Sequence, residues 1–388
     1  MCISSAGANM IIEIRGVQFE NKGAQLMLRA VLSQVKSRLP EAMVALRPNT
    51  GTTRADLLSV NALAKLPLRK RSIDLSGLSY VWPHMVDKAL KIMGAVTEGS
   101  VDAVLDASGF AYGDRWGAGA LRASADELTR FRRSGKPYVF LPQAFGPFDR
   151  TRTAATGWGV ALESSPLVAV RDAASELALR RLIPDADNIH RYPDITIGLE
   201  VEREAFARSD VDRGTALLIP NVRALEKTDK KIYFSTFEEI VTRLRSGGYA
   251  IRVMNHGGYE DAALCRELSE SVGGIALPVI DNPDPIALKA LIGSAGFVVS
   301  SRFHACVAAL SQGVPSIAIA WTHKYRELFS SFGCIENVIE LENTGASVDL
   351  SKFNYSRTAP NQDLISAADR QRRALDGLWE RVFARLKS

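Results

Sequence analysis

The sequence predicts an α/β protein built from two Rossmann-like, doubly wound domains, and three observations carry that prediction. The 388 residues exceed what one hydrophobic core usually supports, so two domains of roughly 150 to 200 residues are expected. Short apolar runs ending in Gly, Asn, Ser or Asp alternate with helical patterns in both halves, the alternation that builds parallel sheets. Residues 296–324 spell one complete β-α-β unit: 297–299 as a buried strand, 305–312 as a helix stopped by Gly313, and 314–320 as the next buried strand.

The first half can be read in order. Residues 1–9 are small and polar and are expected to fray. Residues 10–15 form a strand, Gly16 to Gly23 a glycine-bounded loop, and about 24–38 a helix with Met27, Val31 and Val35 on one face. Residues 43–46 are a second strand, and the chain to about 99 resists parsing beyond a helix near 85–93. The strand 101–107 runs into the glycine-bearing stretch Ser108 to Asp114, followed by a helix over 120–133. The strand 137–142 continues into Gln143-Ala-Phe-Gly-Pro147, a turn sequence. Next comes the short strand ending at Val170, then Arg171, then Asp172 as N-cap of a helix over 173–182. The first domain is placed at 10–200.

A polar run over 200–213 reads as the link to a second domain at 214–350. Its strand 215–220 leads into Asn221-Val-Arg223 and a helix around 235–245. The strand 250–254 opens onto Asn255-His256-Gly257-Gly258 and a helix to about 271. A strand over 275–280 and a helix over 284–294 lead to the β-α-β unit. In the tail, apolar residues at 364, 368, 375, 378, 382 and 386 mark an amphipathic helix within a closing segment at 360–388, with one face buried.

Open α/β sheets bind ligands beyond the carboxyl ends of their strands, and free N–H groups at helix starts favour anions there. Ser300-Ser301-Arg302-Phe303-His304 occupies such a position, and Lys324 lies just past the next strand. An arginine, a histidine and a lysine thus open onto one sheet edge. The run Ser301-Arg-Phe-His304, then Gly313-Val-Pro-Ser-Ile-Ala-Ile319, then Lys324 twenty residues after His304, resembles the signature of the polysaccharide pyruvyl transferase family. Weaker matches fall at Asn21 and Gly23, at 143–147 and at Arg171-Asp172; where many relatives carry Asp after that glycine, this chain has Ala24-Gln25.

The resemblance implies a GT-B-like pair of domains facing a cleft, with the acceptor on the N-terminal side and the donor on the C-terminal side. The last helix is then expected to pack back on the first domain. The implied reaction moves pyruvate from phosphoenolpyruvate onto sugar hydroxyls of a polysaccharide or its precursor, as a ketal. His304 is the implied acid/base, and Arg302, Lys324, Arg171 and Phe303 line the donor. Asn21, Gly23, Gln143, Asn221, Arg223 and His256 line the acceptor or the cleft. Arginine forks suit carboxylate and phosphate oxygens, lysine adds a mobile charge, and histidine titrates near neutrality, which fits that donor. A nucleotide-sugar-dependent GT-B glycosyltransferase or sugar epimerase is the alternative, opposed by Trp321-Thr-His-Lys324 standing where a Glu-containing nucleotide element would be expected. An inactive, glycan-binding family member is the third reading.

Composition narrows partners. The net charge of +5 permits an acidic partner. Lys65, Arg69, Lys70 and Arg71 form the densest basic cluster, read first as a solvated loop and second as a contact for anionic lipid or a phosphate-bearing substrate. Interleaved aromatics are lacking there, so nucleic acid is not expected. No apolar run approaches roughly 18 residues and the start lacks a signal-peptide pattern, so a cytoplasmic protein without a transmembrane segment is expected, with peripheral membrane contact and a lipid-linked acceptor left open. The four cysteines form no CxxC pair and no HExxH occurs, so neither a metal nor a cofactor beyond the donor substrate is implied.

Overall fold

The structure is a computed structural model that describes residues 10–17, 19–70, 73–201, 211–341, 350–351, 353–355 and 361–387. The expected frayed start at 1–9, most of the expected link at 200–213 and Arg71 of the basic cluster lie outside these residues. The chain divides into two compact units. The first comprises the chain up to Phe19, Met27–Ile195 and Ala374 onward; the second comprises Glu20–Leu26 and Thr196–Arg373.

The first unit runs β1 (Ile11–Arg15), α1 (Lys22–Arg38, whose first turn belongs to the second unit), β2 (Met43–Leu46), α2 (Arg54–Ser59), β3 (Ala62–Lys65), β4 (Arg69–Lys70), β5 (Ile73–Asp74), α3 (His84–Ile92), β6 (Ala95–Val96) and β7 (Ala103–Asp106). It continues with α4 (Gly117–Arg133), β8 (Tyr138–Gln143), α5 (Arg152–Leu162), β9 (Val168–Val170), α6 (Ala173–Leu182) and β10 (Ile189–Arg191). Eight parallel strands lie in the order β10-β9-β8-β7-β1-β2-β3-β6. The winding direction therefore reverses between β1 and β7. The region 47–99, opaque in sequence, holds β3 and β6, four and two residues long, too short to leave a periodic signature.

The second unit runs β11 (Thr215–Ile219), α7 (Lys230–Ser246), β12 (Ala250–Met254), α8 (Tyr259–Ser271), β13 (Val279–Ile280), α9 (Pro285–Ser294), β14 (Phe297–Ser300), α10 (Phe303–Leu310), β15 (Ser316–Ala320), α11 (Lys324–Ser331) and β16 (Val338–Glu340). Its six parallel strands are ordered β13-β12-β11-β14-β15-β16, reversing between β11 and β14. Alternate residues enter two separate cores: Phe297 and Val299 join Ile317 and Ile319 in one, while Val298 joins Leu217 and Ile219 in the other. Both faces of the sheet are covered, which explains why its strands read as unbroken apolar runs. In α12 (Gln362–Lys387) the six apolar positions picked out in the sequence are all buried.

Two expectations need correcting. The strand expected at 275–280 is only Val279–Ile280, because Gly273 and Gly274, at φ of 84° and 75°, turn the chain and leave Ile275 exposed. The basic cluster is not one solvated surface. Lys65 is buried, its ammonium donating to Glu13 Oε2 at 2.5 Å and Glu127 Oε1 at 3.0 Å, whereas Arg69 is exposed.

Candidate functional site

The second sheet reverses between β11 and β14, and the segments leaving these two strands are bound together. Asn221, two residues past β11, is buried; its Nδ2 donates to the Ser301 carbonyl at 3.0 Å and its Oδ1 accepts from Arg223 N at 3.0 Å. The same Ser301 carbonyl accepts from Trp321 Nε1 at 3.0 Å and Tyr325 Oη at 2.5 Å. Tyr233 Oη lies 2.5 Å from Ser301 Oγ and accepts from Asn221 N at 3.0 Å. Four side chains, Asn221 and Tyr233 from the chain after β11 and Trp321 and Tyr325 from the chain after β15, thus fix the turn that delivers Arg302 as the extended cap residue of α10, at φ −99° and ψ 119°. Phe303 and His304 fall in the first helical turn, two residues earlier than the sequence pattern placed it.

Arg302 is held along one edge. Its Nε and Nη2 both donate to Asp261 Oδ2 at 2.5 Å, and the other Asp261 oxygen accepts from Val222 N at 3.1 Å. Asp261 is fully buried while the Arg302 side chain is 19% exposed. The Nη1 corner makes no hydrogen bond among the described residues, which leaves that corner able to meet an anion. Gly257 makes the pairing sterically feasible: a Cβ there would sit 2.2 Å from Asp261 Oδ2 and 2.5 Å from Arg302 Nη2. Its neighbour His256 is buried, and Nε2 has no hydrogen-bond partner among the described residues. Burial first, then the charges of Arg302 and His304, push the His256 pKa down to about 3, so the ring is neutral near pH 7.

Around His304 the packing is aromatic. The Phe303 ring meets the His304 ring edge-on at 5.4 Å, and Lys324 Nζ lies 5.0 Å from the centres of both the Phe303 and Trp321 rings and 5.7 Å from that of Tyr325. Such rings hold an ammonium by their quadrupoles. Lys324 opens α11, which the sequence pattern did not reveal. Gly23, in the first turn of α1, packs against His304, for a Cβ at that glycine would lie 2.1 Å from Nδ1. Asn21 caps this turn, its Oδ1 accepting from Gly23 N at 2.9 Å and Ala24 N at 3.4 Å, so the helix starts at Lys22 rather than Ala24. Lys22 donates to the Pro283 carbonyl at 2.5 Å.

The remaining sequence-selected residues sit differently. Arg223 is exposed and its side chain pairs with Glu226 one turn on, while its backbone N–H donates to Asn221 Oδ1. Gln143 and Arg171 belong to the first unit. Gln143 is buried, donating to the Asp106 carbonyl at 3.3 Å, and Arg171 Nη1 lies 3.3 Å from Asp194 Oδ2 with both side chains buried. Asp261, Tyr233 and Tyr325 were not selected in the sequence. The available signal was an acid in the first turn of a helix following Gly257-Gly258; nothing local marked the two tyrosines.

A family model described as polysaccharide pyruvyl transferase matches residues 21–323, most of the chain. The chain belongs to the polysaccharide pyruvyl transferase family. In this member of the family, the match runs from the Asn21 cap through the Arg302 to His304 turn. Among solved structures, the UDP-GlcNAc 2-epimerase from Methanocaldococcus jannaschii aligns with a TM-score of 0.54 at 12% identity, covering 94% of this chain and 92% of that one. The UDP-GlcNAc 2-epimerase from Neisseria meningitidis bound to UDP-GlcNAc aligns with a TM-score of 0.52 at 11% identity, covering 96% and 93%. At these identities the likeness concerns the fold, which is GT-B-like. No curated protein matches the chain significantly. Among the described residues, no helix is long and apolar enough to cross a membrane, and no group of three or more His, Cys, Asp or Glu residues is placed to hold a metal ion.

Proposed function

We propose that this pyruvyl transferase takes phosphoenolpyruvate as donor and converts two hydroxyls of one sugar in a polysaccharide, or its precursor, into a pyruvate ketal. The observation that carries the reading is the placement of Arg302 and His304 in one turn at the reversal point of the second sheet, inside the family match. Phosphoenolpyruvate is a small, dense anion. Arg302, locked by Asp261 along one edge, offers its remaining corner to a carboxylate or phosphate. Lys324, held over aromatic faces, supplies the second charge, and neutral His256 supplies a hydrogen bond without adding a competing proton.

The reaction balances as follows. The methylene carbon of the donor gains a proton and becomes a methyl group, one sugar hydroxyl bonds to the central carbon, and the second hydroxyl bonds to the same carbon as the C–O bond to phosphate breaks. One hydroxyl proton is matched by that gained at carbon, and the other leaves with inorganic phosphate. His304 is the group that transfers protons in this sequence, a role worth roughly 10²- to 10⁴-fold. In this reading Asn21, in the same unit as His304, marks the acceptor side.

A thermal-shift titration of the purified protein with phosphoenolpyruvate, beside UDP-sugars, tests the donor. Stabilisation by phosphoenolpyruvate that Arg302→Ala abolishes is expected, followed by phosphate release and a pyruvate-ketal mass gain on supplied glycans. Stabilisation by UDP-sugars alone would overturn the reading in favour of nucleotide-sugar chemistry.

A further inference from the structure

Within the first unit, between α12 and the outer strands β9 and β10, lies a cavity of about 450 Å³ lined by Pro166, Leu167, His190, Arg381, Ala384 and Arg385. The fold accounts for each lining group. β10 is the edge strand of its sheet and Ile189 enters the core, so alternation along the strand turns His190 to the other face. Leu378, Val382 and Leu386 are buried and anchor α12, which leaves Arg381 and Arg385, one turn apart, exposed on the same side of the helix. Pro166 and Leu167 lead into β9, so the cavity sits toward the amino ends of the strands. Gln143 and Arg171 stand at the carboxyl ends of β8 and β9, on the opposite edge of the sheet.

The charge facing this cavity has one sign. Among the described residues its lining holds two guanidiniums and an imidazole, and no carboxylate. Burial first, and then the charges of Arg381 and Arg180, push the His190 pKa below the ordinary histidine value, so Arg381 acts on the same space as the ring. Arg180 is already engaged, donating to the Ala186 and Ile189 carbonyls. Asp187 and Glu176 act on the ring in the other sense and more weakly, and neither lines the cavity. Arginines near a helix C-terminus can serve simply to offset its dipole, but that use needs neither a histidine nor a cavity beside them. The volume falls in the range of small-molecule sites, and Pro166, Leu167 and Ala384 give it an apolar floor. Guanidinium forks suit phosphate oxygens, and two of them beside a protonatable imidazole match a dianion better than a lone carboxylate. We infer that this cavity is a second ligand site, taking a phosphate dianion on Arg381, Arg385 and His190, either free or carried by a small molecule whose body lies on the Pro166 and Leu167 floor. The inference concerns the first unit alone and does not depend on the donor assignment.

The test follows the His190 ring by NMR, its signal assigned with H190Q, while the full-length protein is titrated with inorganic phosphate or with glucose 1-phosphate at ionic strength matched by chloride. Because the readout is local, binding of either anion elsewhere does not register. A bound dianion should raise the His190 titration midpoint by roughly 1 pH unit. R381A/R385A should abolish that shift and weaken binding roughly ten-fold or more, and Arg381→Ala alone, which keeps Arg385 in place, should give a smaller loss in the same direction. Tighter binding of glucose 1-phosphate than of phosphate would assign the cavity to a phosphate ester, and equal binding would assign it to free phosphate. A His190 midpoint that neither anion moves overturns the inference. So does a lowered melting temperature in R381A/R385A with the anion-induced shift retained, which would leave the two arginines as helix-end charges.

Discussion

The two sheets each reverse direction once, and the two reversal points are built with opposite electrostatics. In the first unit, the cations at the ends of β1 and β3 are neutralised by Glu127 of α4 and Glu13 of β1. Arg15 pairs with Glu127, Lys65 pairs with both Glu13 and Glu127, and Asp106 accepts from Tyr112, Tyr138 and Ser108. Burial alone would raise the Glu127 pKa, yet Arg15, Lys65 and Arg47 hold it well below the usual carboxylate range. In the second unit, Asp261 fixes one edge of Arg302, while Lys324 is held over aromatic rings and His256 is kept neutral. Equivalent positions in similar sheets have thus been put to different uses. One is a closed ion network that holds strands together; the other sets a guanidinium against a single carboxylate and an ammonium against aromatic rings.

The contrast can be broken in steps, beginning with the largest effect. His304→Ala should reduce phosphate release from phosphoenolpyruvate by roughly 10²- to 10⁴-fold while leaving the melting temperature near that of the wild type. A matching loss of stability would mean that the imidazole is a packing residue. In the other unit, Lys65→Met should do the reverse. It leaves Glu13 and Glu127 short of a counter-ion, costing about 3–5 kcal/mol in urea unfolding, with little change in donor binding by the surviving folded protein.

Gly23→Ala probes the seam between helix start and imidazole. The new Cβ would lie 2.1 Å from His304 Nδ1, so the ring must move, and turnover should fall by roughly 10²-fold as the proton-transferring group is displaced. Unchanged kcat would show that the ring has room to adjust without cost.

His256 sharpens the comparison through pH. Its folded pKa, about 3, lies below the ordinary histidine value, so between pH 6.5 and 3 the unfolded chain binds the extra proton. The stability it contributes is complete above pH 6.5 and declines as pH falls, with a slope of up to about 1.4 kcal/mol per pH unit. His256→Gln should flatten that part of the wild-type curve in urea midpoints measured from pH 7 to pH 4; identical curves would place the ring in a more solvated setting. The smallest effect is expected for Arg223→Ala, whose exposed pair with Glu226 should be worth under about 0.5 kcal/mol, with no change in donor binding. A loss of phosphoenolpyruvate stabilisation in that variant would bring Arg223 into the site.

The alternation of apolar runs and helices was enough to specify two parallel sheets, because strands buried on both faces leave unbroken hydrophobic signals. It also located the turn at 300–304, because a strand end followed by a helix start is a local pattern. The stop at Gly313 follows from the same local rules, whereas the cap at Asn21 starts α1 two residues before the sequence pattern does. Tertiary structure alone decided which cations are already neutralised. Nothing in the run containing Lys65 announces that Glu13, 52 residues earlier, will meet it in the core, nor that Asp261 will grip Arg302 from 41 residues away. Likewise the periodicity near 85–93 gave a helix but not that Met85 and Ile92 would face solvent. Secondary structure is written in near neighbours, whereas the state of a charge depends on whichever distant groups the fold brings within a few ångströms and on how much water is left between them.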